Sequence, residues 1–594
     1  MELVDLQLQA AAYLEQDEYD EAIALYEQCI EAEPNNISNY WKLGLTLLLQ
    51  GQELEAQTCW LSAIVEVTSA QDEDWTEELI KILEAEGIQR LGAGKYEQAE
   101  KIYLQIIEQQ PNNGLAYKNL GNAAFSLGKL EAAIAYYQKG LSLEPDDGIT
   151  YYHLGLIFHK QNNFEQAQAY FEQFLALNPN AAEGFNCLGN SFQRQGKFED
   201  AIACYQKALT LEPNDALTIN NLGTTFQAVG KLDEAIACYE KALTLEPNNA
   251  MAHNNLGGFL VEQYQFETAM ACYNRAIEIE PESGDFHWSC ASLLLRLGDY
   301  KRGFAEAEWR WKQEHNYPMN CPQPLWDGSN LEGRTILLYV EQGLGDTIQF
   351  IRFAPLVAQR GGKVVVAAQE PLVRLLTSVS GIDQVIAINE TFPEFDVQTP
   401  LLSLPYILGT TLEKLPAQVP YLSPPAPLSF KLEIPDNTYM KVGIVWAGNP
   451  KYGDDRKRSC SLNQFKPLLN VQGIAFYSLQ KGPKAEEISQ LSGQVPLQDL
   501  SSHLNDFADT AAVVNQMDLI VSTDTSVPHL AGALGCPVWV VLSYSPDWRW
   551  MVGREDSPWY PTMRLFRQNQ PGNWQDVLER VALALTELVN SKKS

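Results

Sequence analysis

Three segments of the C-terminal half gather residue types that can do chemistry. In EQGLGDTIQFIRF (341–353), Gly343 and Gly345 precede Asp346 where an apolar run gives way to a helical pattern. The glycines allow a tight turn close to a ligand. A carboxylate at such a point can remove a proton from a hydroxyl. It can equally cap the helix. The segment lacks the GK[ST] of a Walker A loop, and Ile348 stands where a full GxGxxG would end. In STDTSVPHLAGALGCPVWVV (522–541), an apolar run ends in Thr523, Asp524, Thr525 and Ser526, and a helix starts near Val527. Amides and hydroxyls at that start form an anion site. His529, on the first turn, either reaches the same anion or packs as a buried structural histidine. The third pattern is basic and aromatic. WAGNPKYGDDRKRSCSL (446–462) carries Asn449, Arg456, Lys457 and Arg458, and DWRWMVGREDSPWYPTMRLFRQ (547–568) is its counterpart. Such runs are usually solvated loops, but two of them after strands of one half point to phosphate binding.

These segments need a scaffold of strands. TILLYV (335–340), KVVVAA (363–368), QVIAI (384–388), KVGIVWAG (441–448), IAFYSLQ (474–480), MDLIVSTD (517–524) and VWVVLS (538–543) are short apolar runs alternating with helical patterns. That alternation predicts parallel α/β sheets. VPYLSPPAPLSFKLEIP (419–435) breaks the region into 335–430 and 436–594, two Rossmann-like halves with a cleft at the carboxyl ends of their strands. A Pro-rich linker, 318–334, joins them to residues 1–317, so the chain is expected to form two rigid bodies joined near 313–334.

Residues 1–317 follow a different period. Pro111, Pro145, Pro179, Pro213, Pro247 and Pro281 lie 34 apart, as do Gly121, Gly155, Gly189, Gly223 and Gly257. Each unit reads as two amphipathic helices that must stack on neighbours to bury their apolar faces. The step from Ala56 to Ala99 is 43, which predicts a longer loop near 69–79. One position of the first helix holds Asn119, His153, Cys187, Asn221 and Asn255. Asn amides there could bind an extended peptide backbone, or could be capping and solvated. His153 reads as a groove wall.

Composition excludes several classes. Of 594 residues 45% are hydrophobic, which is ample for large cores and excludes disorder over most of the chain. The net charge of −33 repels nucleic acid and anionic membrane surfaces, so neither is an expected partner. There is no secretory pattern at the start and no apolar run long enough to span a bilayer. Ten cysteines without CxxC or a Cys/His cluster give no metal site and suit a reducing cytoplasm.

Two resemblances add to this reading. NNLGTTFQAVGKLDEAIACYEKALTLEPNN (220–249) resembles the tetratricopeptide family, with eight full repeats and a partial ninth over residues 3–317. Its Asn row resembles the groove of the eukaryotic O-GlcNAc transferases, which implies a protein or peptide partner. GLGDTIQFIRFAP and TDTSVPHLAGALGCPV resemble the family 9 glycosyltransferases, the heptosyltransferases, over about residues 333–590. That resemblance implies a glycosyltransferase B fold. It also implies metal-independent inverting transfer from a nucleotide-diphosphate sugar, with no other cofactor. Asp346 matches the family's base. Gly343, Gly345, Asn449, Asp524, Thr525, Ser526 and His529 fall in the donor-binding segments, with Arg456, Lys457 and Arg458 in the region of its phosphate-binding lysine. The chain departs at Ser526, where the signature has Gly, and in a short first half. The departures leave open a repeat scaffold with an inactive sugar-nucleotide domain.

Overall fold

The computed structural model describes residues 3–67, 75–313, 319, 321–341, 343–428, 430–450, 455–490 and 496–593. Two compact units divide it, Met1–Pro247 and Asn248–Ser594.

In the first unit, helices pair from Leu3–Glu15 with Tyr19–Ala32 to Ala216–Ala228 with Leu232–Leu245. The repeating glycines have a specific steric cause. A Cβ built on Gly189 would lie 2.6 Å from the ring of Tyr205, and one on Gly121 2.5 Å from Tyr137. Each glycine thus admits an aromatic ring from the second helix of its own pair. Residues 68–74 of the expected long loop lie outside the described residues, but 75–79 are helical, inside Trp75–Gly92.

The second unit begins with two more helix pairs, Ala250–Glu262 with Phe266–Ile279 and Gly284–Leu297 with the short Tyr300–Ala307. Two parallel sheets follow. The first comprises β1 (Thr335–Tyr339), β2 (Lys363–Ala368), β3 (Gln384–Ala387) and β4 (Val397–Pro400), in the order β3-β2-β1-β4. The second comprises β5 (Met440–Val445), β6 (Ile474–Ser478), β7 (Leu497–Asp499), β8 (Leu519–Thr523), β9 (Val538–Leu542) and β10 (Met563–Arg567). Its order is β10-β9-β8-β5-β6-β7, with β5 and β8 in register at Val442↔Leu519 and Ile444↔Val521. The order reverses between β5 and β8, the place where open parallel sheets leave a crevice at the strands' carboxyl ends.

The compact units part at Pro247–Asn248, well ahead of the change of period near 317. The reason is burial. Leu295, Tyr300 and Phe304 of the last repeat belong to the same apolar core as Ile336, Leu338 and Val540 of the sheets. Arg310, 1% exposed, donates through Nε and Nη2 to both oxygens of Glu341 at 2.8 and 3.0 Å. The expected linker is also engaged: its residues 318 and 320 lie outside the described residues, but Trp326 and Leu331 are buried, and Trp326 N–H donates to Gln398 O.

Candidate functional site

Four strand ends supply one cleft of about 640 Å³. After β1 come Gly343, Gly345 and Asp346; after β5, Asn449 and Arg458; after β8, Asp524, Thr525, Ser526 and His529; after β9, Asp547, Trp548 and Arg549. Trp288 and Ser292, one helical turn apart on Gly284–Leu297, add a wall from the last repeat. Arg456 and Lys457 are not part of this lining, and Lys457 Nζ lies 3.4 Å from Glu262.

Local geometry explains each placement. Asp346 is the third residue of the helix Leu344–Phe350, and its Oδ2 accepts from Gly343 N–H at 2.8 Å. Capping is therefore one of its roles. Its Oδ1 accepts from Arg549 Nη2 at 2.5 Å. Burial pushes the Asp346 carboxyl up against the opposing pull of Arg549. Gly345 is needed for close approach, since a Cβ there would meet His529 Cδ2 at 3.1 Å. Gly448, before Asn449, is tighter still: a Cβ would intrude on Asp455 and Arg458, whose side chains pair above it. Residues 451–454 of the basic segment lie outside the described residues.

The helix start after β8 differs from expectation in one respect. Thr525 Oγ1 accepts from Val527 N–H at 3.4 Å, and Pro528 has no N–H. Ser526, at the start of the helix, lines the cleft together with Arg458 and Arg549. His529 does not meet the anion site as a cation. It is 4% exposed, stacked on Trp550 at 5.2 Å, with Nδ1 3.1 Å from Tyr560 Oη. Burial and the nearby Arg549 push its imidazole down to about 3, so it is neutral near pH 7. It can offer the cleft only a neutral N–H.

Arg549 organises the charges. Its Nε donates to Gln349 Oε1 at 2.7 Å, Nη1 to Asp547 Oδ1 at 2.8 Å and Nη2 to Asp346, while the guanidinium lies 4.3 Å from the Trp548 ring centroid. Burial works against the charges of Arg549 and Asp547, but their mutual attraction prevails. The guanidinium is held above its usual range and the Asp547 carboxyl below its own. Asp524 goes the other way: burial and the Asp547 charge push it up to about 6. This sets a sign for stability. Asp524 binds its proton more tightly folded than unfolded, so it contributes stability below pH 4 that is lost as pH rises through 6. Asp524→Asn should therefore raise the melting temperature at pH 7.5 by several degrees and much less at pH 4. Equal shifts at both pH values would show that the carboxyl is not perturbed.

The sequence marked nine of the cleft residues. It missed Asp547, Trp548 and Arg549 individually, although they lie in the flagged DWRW run. It also missed Trp288 and Ser292, which carry no signal beyond their repeat. The rest of the second basic run serves structure: Met563–Arg567 is the edge strand β10, and Arg567 Nη2 donates to Trp550 O at 2.5 Å.

The repeat row is likewise engaged internally. Asn221 Nδ2 donates to Asn186 Oδ1 and Asn190 Oδ1, both at 3.1 Å, and Asn119 Oδ1 lies 3.5 Å from Asn122 Nδ2. His153 stacks on Tyr137 at 5.7 Å, and burial lowers its basicity. Asn255, on Ala250–Glu262, belongs to the second unit.

Among the described residues no cluster of His, Cys, Asp and Glu is arranged to hold a metal ion, and no helix is long and apolar enough to cross a membrane.

Comparison with known proteins agrees with the repeats. Tetratricopeptide repeat models match residues 102–135, 149–181, 180–245 and 251–283, and a TPR repeat model matches 10–51, 121–162 and 228–263. The N-terminal half is thus made of tetratricopeptide repeats, followed by an α/β region with parallel sheets. The chain is 27% identical over 335 residues to Protein FlbA of Caulobacter vibrioides, a match covering 51% of this chain and 55% of that protein. The chain thus spans about half the length of that curated relative. Similar solved structures include YrrB, described as a TPR protein with an unusual peptide-binding site, at 26% identity over 30% of this chain and 92% of that one, TM-score 0.27. Another is PilF of Pseudomonas aeruginosa, at 18% identity over 36% and 97%, TM-score 0.32.

Proposed function

We propose that the α/β region is a glycosyltransferase of the B fold. It moves a sugar from a nucleotide-diphosphate donor to an acceptor hydroxyl with inversion, while the repeats recruit the acceptor or a partner protein. One observation carries this reading: the Gly343–Asp346 turn and the Asp524–His529 turn, each resembling a family 9 segment, line a single cleft at the carboxyl ends of both sheets. In this reading Arg458, Arg549 and Ser526 hold the diphosphate, His529 adds a neutral N–H, and Asp346 serves as the base. The step balances. Asp346 takes the acceptor proton, and the acceptor oxygen bonds to the anomeric carbon. The bond from that carbon to the diphosphate oxygen breaks, its electron pair going to phosphate.

A second reading, a repeat scaffold with an inactive sugar-nucleotide domain, is favoured by the engagement of both Asp346 oxygens. A thermal-shift screen of the full chain against ADP-, UDP-, GDP- and CMP-sugars tests the donor site: one of the three diphosphate classes should stabilise, and a shift with the monophosphate CMP-sugar alone, or with none, would remove the donor reading. His529→Ala should weaken nucleotide binding by about two- to tenfold, the worth of a neutral hydrogen bond. Lower thermal stability at unchanged affinity would show it to be packing alone.

A further inference from the structure

The cleft's charges are matched to one another rather than to a diphosphate. Three carboxylates, Asp346, Asp524 and Asp547, and two guanidiniums, Arg458 and Arg549, line it, and His529 faces them uncharged. The Arg549 fork gives Nη1 to one carboxylate and Nη2 to another. A diphosphate entering this cleft meets an excess of negative charge and an arginine already in use. A guanidinium fork suits phosphate oxygens at least as well as carboxylate oxygens.

Resting on the glycosyltransferase reading, we propose that Arg549 exchanges partners: it holds Asp346 until the donor diphosphate arrives, then turns to the phosphate oxygens and releases Asp346 to the acceptor hydroxyl. The geometry suits this motion. The guanidinium lies against the face of Trp548, where it can pivot without losing its aromatic contact. Asp547 and Gln349 hold Nη1 and Nε while Nη2 changes partner. With Nη2 on Oδ1 and Gly343 N–H on Oδ2, both Asp346 oxygens are occupied and neither is open to an acceptor hydroxyl. Departure of the arginine frees Oδ1 for the acceptor hydroxyl at the moment the donor is in place. The base thus works only with donor bound, which limits idle deprotonation and orders the reaction with donor first. Arg549 is then both a donor ligand and the residue that positions the base.

The test is titration calorimetry of the full chain with inorganic pyrophosphate and with ADP, UDP, GDP and CDP. If Arg549 is shared, Asp346→Asn removes a competitor for it and should tighten binding by about tenfold. Arg549→Gln should weaken binding by about tenfold or more and abolish the gain from Asp346→Asn. Should Arg549→Gln fail to fold, Arg549→Lys, which keeps the charge and loses the fork, should weaken binding and reduce the gain. Binding that Asp346→Asn leaves unchanged or weakens overturns the exchange while the donor reading stands. No binding by wild type or Asp346→Asn removes both.

Discussion

Asp346→Asn should lower turnover by about 10²–10⁴, the usual worth of general-base catalysis, with donor affinity no weaker than wild type. Asparagine keeps a side-chain oxygen for Gly343 N–H, so the helix start survives. What it loses is the ability to accept the acceptor proton. The same variant separates the readings of Asp346. If it only caps its helix, turnover is unchanged. If it only neutralises Arg549, Asp346→Asn and Arg549→Gln cost similar amounts. Steady-state kinetics with the donor selected by the thermal-shift screen decides among these outcomes.

The second large effect concerns where the catalytic unit begins. A fragment of residues 248–594 should fold cooperatively, whereas residues 318–594 should be insoluble or unfolded. The shorter fragment loses Leu295, Tyr300 and Phe304, worth about 1.5–3 kcal/mol each when buried. It also loses the Arg310–Glu341 pair, whose partners are 1% and 12% exposed. The three burial contributions together approach the whole stability of an ordinary domain. It further removes Arg296, whose Nη1 donates to Ser545 Oγ at 2.8 Å beside the segment that carries Arg549. Calorimetric melting of both fragments is the check. A cooperative transition for 318–594 near that of 248–594 would show that the last repeats are dispensable.

The repeats were legible because each depends on local periodicity: a glycine, the ring that fills its space and a proline at the helix end recur every 34 residues. Seven strands were legible as short apolar runs. Three strands were missed for separate reasons. β4 is VQTP, short, polar and ended by proline. β7 has three residues, none buried. β10 is MRLFR, an edge strand whose arginines masked its alternation and drew it into a basic run. In the cleft, turns that follow apolar strands announced themselves through Gly343, Asp346, Asp524 and Thr525. Arg549 did not stand out from its neighbours, because a sequence cannot say which of several arginines faces inward. Trp288 and Ser292 could not be assigned, because their role depends on long-range packing of the last repeat against the sheets. The neutrality of His529 is likewise a property of its buried setting, not of its spacing.

Transfer from a nucleotide sugar is the activity on which the roles of Asp346 and Arg549 depend. The most direct measurement is proton NMR of the full chain with the stabilising donor, following the anomeric signal of sugar released to water or to acceptor before it mutarotates. The first product should have the inverted anomeric configuration, and Asp346→Asn should slow its appearance by about 10²–10⁴. Release with retained configuration, or at the same rate from Asp346→Asn, would contradict inverting transfer with Asp346 as the base.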